Sequence, residues 1–287
     1  MIIGVLGANG ALGRHLTPQL GAAGWRVRAL VRRPEAAGAA RACGAEIAVA
    51  DIFDEASMVA GLRGCDIAIN IATSLPGPSG RGDFAANDRL RRDGTPIWVE
   101  ACRQAGVSRL LQQSIAMINA AGDAWANEDT PYGFSGEDVS GEAVRAARDM
   151  EAAVAGSDRD WAILRGGLYY GPGTGFDDDW FARAKAGRLR LPKEGRDYVS
   201  LVHINDMASA IVAAVRRWPS QRTLIVSDDE PAQWRDVFGC IAEMTGADPP
   251  SPGGRAGFPS FRVSNARAKD ALGWTPAYPN FRVGLAR

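Results

Sequence analysis

The chain is poor in lysine. Lys185, Lys193 and Lys269 are the only three in 287 residues, and every other basic residue is an arginine. Basic and acidic side chains balance at 33 each. With no surplus of either sign, no overall field draws the chain to nucleic acid or to an anionic membrane. Two histidines, His15 and His203, give no metal-ligand cluster. The four cysteines, Cys43, Cys65, Cys102 and Cys240, lie far apart and form no CxxC pair. In a chain of this length they read as buried small apolar side chains in a reducing compartment. No apolar run approaches the roughly 20 residues that a membrane span needs. The opening apolar stretch is short and ends in glycines, unlike a signal peptide, so a cytoplasmic location is expected. What remains is 46% hydrophobic and 23% charged, the composition of a globular protein rather than a disordered one.

Short apolar runs at 2–6, 25–31, 46–50, 66–72, 109–114, 161–165 and 223–227 read as strands buried on both faces. Helical spacing lies between them. Leu12, Leu16 and Leu20 recur every four residues, as do Ala143 and Ala147, with Met150 and Val154 roughly in phase. This alternation predicts an α/β fold, a doubly wound parallel sheet of Rossmann type. The pattern changes after Arg165. Residues 166–175 are glycine-rich and read as a loop, and a short helix follows near 177–187. Asp206 is a candidate N-cap for a helix over 207–217. Proline and glycine at 248–259 suggest a mobile surface loop. The expected division is a dinucleotide-binding domain over 1–165, with 200–227 returning to the sheet. A smaller C-terminal substrate-binding cap would comprise 166–199 and 228–287.

The first strand runs into Gly7-Ala8-Asn9-Gly10-Ala11-Leu12-Gly13-Arg14. Glycines at this spacing admit positive φ and let backbone N–H groups approach a pyrophosphate. The following helix aims its partial positive charge at the same place. The third glycine allows close helix–strand packing. Placed between the first strand and an amphipathic helix, the motif predicts a dinucleotide site. The second strand ends in Arg32 and Arg33 where an NAD site would carry an acidic residue. A guanidinium there suits a 2′-phosphate, so NADP is expected over NAD; Arg14 could assist. The plainer reading is two solvated arginines at a strand end. Asp51, with Ile52, ends the third strand where an adenine ring could sit, or Asp51 simply caps a turn. Ala72 and Thr73 end the fourth strand, where the cofactor should cross.

These residues resemble the extended and atypical short-chain dehydrogenase/reductase superfamily, of the NAD-dependent epimerase/dehydratase type. The resemblance spans nearly the whole chain. It rests on the glycine loop, on Asp51-Ile52, on Asp93-Gly94-Thr95 and on Ser114-Ile115-Ala116. Further on it includes Ile163 to Gly173, Val202 to Asp206, and the closing Leu272-Gly273-Trp274-Thr275-Pro276. The resemblance implies a small-molecule substrate held between the two parts, with Ser114 and Gly167 beside the cofactor. It also implies a homodimer built through two helices. Catalysis in that family uses serine, tyrosine and lysine. The tyrosine acts as acid or base, the lysine lowers its pKa and holds the nicotinamide ribose, and the serine orients the substrate oxygen.

The chain departs from this pattern in one respect. Ser114 matches, but none of Tyr132, Tyr169, Tyr170, Tyr198 and Tyr278 has a lysine four residues on. Aligning Glu151 with the family's glutamate puts Ala143 and Ala147 at the tyrosine and lysine positions. Two readings follow. The first is an NADP-binding oxidoreductase or epimerase/dehydratase-like enzyme acting on a small carbonyl or hydroxyl compound. Its acid–base group would be non-standard: Ser114, Tyr169 or Tyr170, with Glu142 and Arg145 nearby. The second is a catalytically silent NADP-binding sensor or regulator. An enzyme that recycles bound NAD is a third. Tyr169 and Tyr170 also read as aromatic packing over the nicotinamide. His203 reads as a structural hydrogen-bonding group, His15 as surface, and Trp125, Trp180 and Trp234 as core or pocket wall.

Overall fold

A computed structural model describes residues 1–76, 82–131, 139–255 and 257–286. From the N-terminus run β1 (Ile2–Leu6), α1 (Ala11–Ala22), β2 (Arg26–Val31), α2 (Gly38–Ala42), β3 (Glu46–Val49) and α3 (Glu55–Leu62). Then come β4 (Ile67–Asn70), α4 (Phe84–Arg89), α5 (Thr95–Gln104), β5 (Arg109–Ile115), β6 (Trp125–Ala126) and α6 (Val139–Ala155). The middle holds β7 (Asp160–Gly166), β8 (Leu168–Tyr170), α7 (Phe176–Lys185), β9 (Arg190–Pro192), β10 (Tyr198–Val199), β11 (Leu201–His203) and α8 (Ile204–Arg216). The chain closes with β12 (Arg222–Val226), β13 (Ala232–Gln233), α9 (Trp234–Thr245), β14 (Ser251–Gly254), β15 (Arg262–Val263), α10 (Ala266–Leu272) and α11 (Phe281–Leu285).

Seven of these strands form one parallel sheet in the order β12-β7-β5-β4-β1-β2-β3. The winding reverses between β1 and β4. Their carboxyl ends therefore open into the crevice where a doubly wound sheet binds its ligand. The strands are apolar on both faces because both faces are covered. On one side Leu16 and Leu20 of α1 meet Met207, Ile211 and Val215 of α8, together with Leu272 and Trp274. On the other, Met58, Leu62, Trp98, Cys102 and Val154 pack against Ile163 and Ala68. A separate cluster holds Trp180, Trp234 and Phe238, whose rings lie 5.1–5.7 Å apart, beside Tyr170 and Phe261. The stretch 228–287 is thus shared. Its α9 belongs to this second cluster, while α10 and Trp274 pack under the sheet beside α8. Among the described residues no helix is long and apolar enough to cross a membrane.

The structure corrects four expectations. Residues 166–175 are not wholly a loop. β7 runs on to Gly166, and β8 pairs in parallel with β11, Leu168 opposite Leu201. Glycine hid this strand. Gly167 donates its N–H to the Val226 carbonyl at 2.9 Å, and a Cβ at 167 would stand 2.5 Å from the Ser200 carbonyl oxygen. Gly167 is therefore a packing glycine, required where the chain passes from β7, paired with β12, to β8, paired with β11. Asp206 does not cap a helix. α8 starts at Ile204, and the His203 ring accepts the Asn205 N–H through Nδ1 at 3.3 Å. Asp206 instead accepts the N–H groups of Ala277 and Tyr278, each at 2.9 Å. The stretch 248–259 contains β14, which pairs with β9. Cys65 and Cys102 are buried, but Cys43 ends α2 at the surface and Cys240 is half-buried.

The His203 cap makes stability depend on pH. Burial lowers its pKa from the ordinary 6.5 to about 4; His15 adds to the lowering and Asp177 opposes it. The folded pKa lies below the unfolded one. The stabilisation from the neutral ring is therefore complete above the unfolded value and is lost as pH falls from 6.5 toward 4. Thermal midpoints measured from pH 7.5 to 4.5 should fall more steeply for the wild type than for His203→Asn, which keeps a capping acceptor. Parallel slopes would remove His203 from the account.

Candidate active site

The crevice at the β1–β4 switch point is built around three glycines. Gly7 ends β1 at φ +91°, a conformation costly for any residue with a Cβ. A Cβ there would also lie 2.7 Å from the Ala72 nitrogen. A Cβ on Gly13 would lie 2.4 Å from the Ala8 carbonyl oxygen, so α1 can approach β1 only with glycine there. Gly10 closes the turn by donating its N–H to the Gly7 carbonyl at 2.9 Å. It is also the N-cap of α1, with no side chain bonded to the first turn. Helix N–H groups left uncapped at Ala11, Leu12 and Gly13 form a ready anion site, reinforced by the helix dipole. Leu12 keeps its side chain in the core. Asn9 places Oδ1 in this crevice wall, buried and without a partner, and its carbonyl accepts from Arg14 Nε at 3.3 Å. A cradle closed to side chains and an uncapped helix start both fit a dinucleotide diphosphate.

Arg32 and Arg33 stand exposed just beyond β2. Asp51 accepts the Phe53 N–H at 3.1 Å, the turn-capping role. Ile52 is core, tight against Gly94, where an added Cβ would meet it at 3.0 Å. At the end of β4 the Ala72 N–H donates to Asn70 Oδ1 at 3.1 Å, while Thr73 is exposed. Asn70 Nδ2 in turn donates to Gln112 Oε1 at 2.9 Å inside the sheet. Sequence reasoning passed over this pair, although a polar residue in each of two apolar strands was its signal.

Ser114 comes one residue before the end of β5, 1% exposed, and its Oγ has no partner. Tyr169 and Tyr170 point apart. Tyr170 is fully buried beside the second cluster, edge-on to His203 with ring centroids 5.2 Å apart, and 3.4 Å from the Asn280 carbonyl. It is a core residue, which corrects its candidacy as a catalytic group. The Tyr169 ring lies over Gly166, its hydroxyl 2.7 Å from where a Cβ on residue 166 would be. That hydroxyl is buried without a well-formed hydrogen bond, with the Gln113 amide beside it. Burial pushes its pKa far above the ordinary phenol value, so Tyr169 donates and does not serve as a base.

The helix face that would carry the family's tyrosine and lysine is apolar. Val144, Ala147 and Met150 pack against Ile115, Met117 and Ile118, the segment that follows Ser114. Glu142 is held by Arg92 at 2.5 Å and Arg145 at 2.7 Å, pairs that lower its pKa. Both candidates beside Ala143 are thereby tied into surface ion pairs. Tyr132 lies outside the described residues.

Sequence reasoning also missed Arg91. Residues Leu90–Gly94 form a π-helical turn between α4 and α5, a widening found mostly at functional sites. It turns Arg91 inward. The guanidinium is 6% exposed, donates to the Ala143 carbonyl at 3.0 Å and stands 3.7 Å from Asp88. A cation therefore lies against the α6 backbone at Ala143. Nothing in the sequence marks one arginine among many for this role.

Residues 7–217 match a family described as NAD(P)H-binding. The chain is 37% identical to a 3-diazoavenalumate denitrifying reductase of a Streptomyces species, with 99% of this chain and 98% of that protein aligned. It is 26% identical to a 4-hydroxy-2-methyl-3-oxo-4-farnesyl-3,4-dihydroquinoline-1-oxide ketoreductase of Stigmatella aurantiaca, over 99% and 84% of the two chains. The fold is shared with the dTDP-glucose 4,6-dehydratase of Streptomyces venezuelae, solved with NAD bound. There the TM-score is 0.84 at 18% identity, over 100% of this chain and 95% of that one.

Proposed function

The chain belongs to the NAD(P)H-binding family, and on that premise we propose that it is a reductase whose substrate is an aryl diazo compound. The observation that carries this reading is the methyl face of α6. A carbonyl that accepts a hydride becomes an alkoxide and needs a proton, and a placed acid speeds such a step about 10²–10⁴-fold. No described candidate supplies such an acid: Ala143 and Ala147 stand where the dyad is expected, Tyr170 is core and Glu142 is ion-paired. Burial raises the Tyr169 pKa so far that its hydroxyl can donate a hydrogen bond but does not give up its proton. When bound, the reduced nicotinamide supplies a hydride, and a cationic aryl diazonium balances that charge by itself, ArN₂⁺ plus hydride giving ArH and N₂ with no proton consumed. The 37% identical relative is named for a diazo substrate and for denitrification, which supports the same class.

The chain's own residues then bind and exclude. The amides of residues 11–13 hold the diphosphate, and Gly7 and Gly13 let β1, its turn and α1 pack closely enough to present them. Ile115, Met117, Val144 and Ala147 keep water from the reacting end. Ser114 offers its free hydroxyl to the substrate. The test is incubation with NADPH and an aryl diazonium compound carrying ¹⁵N. One equivalent of NADPH oxidised per ¹⁵N₂ released is expected. Oxidation of NADPH by ketones, with the diazo compound untouched, would overturn the reading. Tight NADPH binding with no turnover of either would favour a sensor.

Arg32 and Arg33 favour NADP as the cofactor. A cofactor present at 100 times its Kd stabilises the fold by about 2.7 kcal/mol. NADPH should therefore raise the thermal midpoint by several degrees at a concentration where NADH does little. The double variant Arg32→Ala, Arg33→Ala should lose about tenfold to a hundredfold in NADPH affinity and little in NADH affinity, since a charge-assisted phosphate contact is worth roughly 1.5–3 kcal/mol. Equal losses for both cofactors would assign the 2′-phosphate elsewhere.

A further inference from the structure

We propose that Asn70 and Asn87 are positioning residues that hold the backbone at 72–74 as a preformed floor for the nicotinamide half of the cofactor; this rests on reading the crevice as an NADP site.

The two halves of a dinucleotide lie on either side of the switch point of a doubly wound sheet. Arg32, Arg33 and Asp51 follow β2 and β3, on one side of β1. The nicotinamide half then lies on the other side, over the ends of β4 and β5. There the chain leaves the sheet after one last strand bond, from the Ile71 N–H to the Leu6 carbonyl at 3.0 Å. Two asparagines take over. Asn70 Oδ1 accepts the Ala72 N–H at 3.1 Å, and Asn87 Oδ1, from α4, accepts the Ser74 N–H at 3.0 Å. Thr73 stands exposed between these anchors. The anchored segment adjoins the glycine cradle directly, since a Cβ on Gly7 would lie 2.8 Å from the Ala72 Cα.

Neither asparagine is what the core alone would select. Both are buried, Asn70 at the end of an otherwise apolar strand. Burying an amide is costly unless its polar atoms are bonded. Asn70 is satisfied through Gln112, which is buried with it on the next strand. Gln112 Oε1 accepts from Asn70 Nδ2 at 2.9 Å, and Gln112 Nε2 donates to the Gln113 carbonyl at 2.7 Å. Asn87 is satisfied only in part, because its Nδ2 has no partner. Its oxygen is therefore the part in use, and that oxygen serves the 72–74 segment. A backbone fixed before the cofactor arrives loses no freedom when the cofactor lands on it, so it binds more tightly than a loop that must first be ordered.

The test compares NADPH with 2′,5′-ADP, a fragment that lacks the nicotinamide half, by calorimetric titration. Asn87→Ala removes the Ser74 anchor, and Asn70→Ala removes the Ala72 anchor. Each should weaken NADPH binding about threefold to tenfold, the worth of one hydrogen bond, and change 2′,5′-ADP binding less than about twofold. Asn70→Ala also leaves Gln112 without its partner. If that variant does not fold, Asn87→Ala carries the test, because Ser74 is half-buried and water can take its N–H. Equal losses for the two ligands would mean that the anchors act on the fold at large. Unchanged NADPH binding would mean that the nicotinamide half does not lie on this segment. Either result overturns the proposal. Wild-type protein that binds neither ligand would instead overturn the NADP reading, and the proposal with it.

Discussion

Gly10→Asp should abolish cofactor binding while leaving the empty protein as stable as before, or slightly more so. Gly10 is exposed, with φ −72° and ψ 176°, a conformation open to any residue. A Cβ there meets only the Gly7 carbonyl, at 3.2 Å. Aspartate is a better N-cap than glycine by a few tenths of a kcal/mol, about one degree in a chain of this size. The same carboxylate would take the amides meant for the diphosphate and repel it. A like charge about 4 Å away in a partly shielded site is worth roughly 4 kcal/mol, so NADPH affinity should fall at least about a hundredfold. Calorimetric titration together with thermal melting reads both effects. Gly13→Val should do the reverse and destabilise the fold itself, because its clash is with the Ala8 backbone. If Gly10→Asp bound NADPH normally, the diphosphate would not lie on α1.

The second large effect concerns Glu151. Its carboxylate receives Arg165 Nε at 2.9 Å and a second guanidinium nitrogen at 2.5 Å, and Arg165 also donates to Asn119 Oδ1 at 2.7 Å. Both side chains of the pair are nearly buried. Through Asn119 the pair fixes the turn Ala116–Asn119, which follows directly on Ser114 and Ile115. Glu151→Ala leaves a buried guanidinium without its counter-ion, at a cost of about 3–5 kcal/mol. The melting temperature should drop by about 10 °C. Replacing both residues with methionine should recover most of that loss, since an apolar pair of similar volume does as well as a buried ion pair. Failure of the double variant to recover would mean that the Asn119 contact, rather than the charge balance, holds the turn.

The contrast between these two sites tracks what a sequence makes legible. The glycine cradle could be read directly because its physics is local: three small residues, a strand before and a helix after. The sheet was legible for the same reason, through its uninterrupted apolar runs. The apolar stripe of α6 could be read because Ala147 and Met150 recur at helical spacing. Arg91 could not, since only an irregular turn between two helices brings it to α6. β8 was hidden because glycines at 166 and 167 look like a loop, when they serve close approach to Tyr169 and to the Ser200 carbonyl. Sequence reasoning gave the cap to Asp206, where the structure gives it to His203. Asp206 is by propensity the better cap, but its partners lie 71 and 72 residues further on. Long-range pairing of that kind leaves no mark in a local window.

The Asp206 clamp bears on how the protein is made. Its two bonds to Ala277 and Tyr278, and the Trp274 indole bonded to Ser209 at 2.8 Å, complete the layer that covers one face of the sheet. Ala277 and Tyr278 are made 71 and 72 residues after Asp206. Until they are, α8 has a buried carboxylate without donors and an apolar flank open to water. The cover on this face of the sheet is therefore incomplete until residues 274–278 have been made, and a product stopped short of them would present that flank to chaperones.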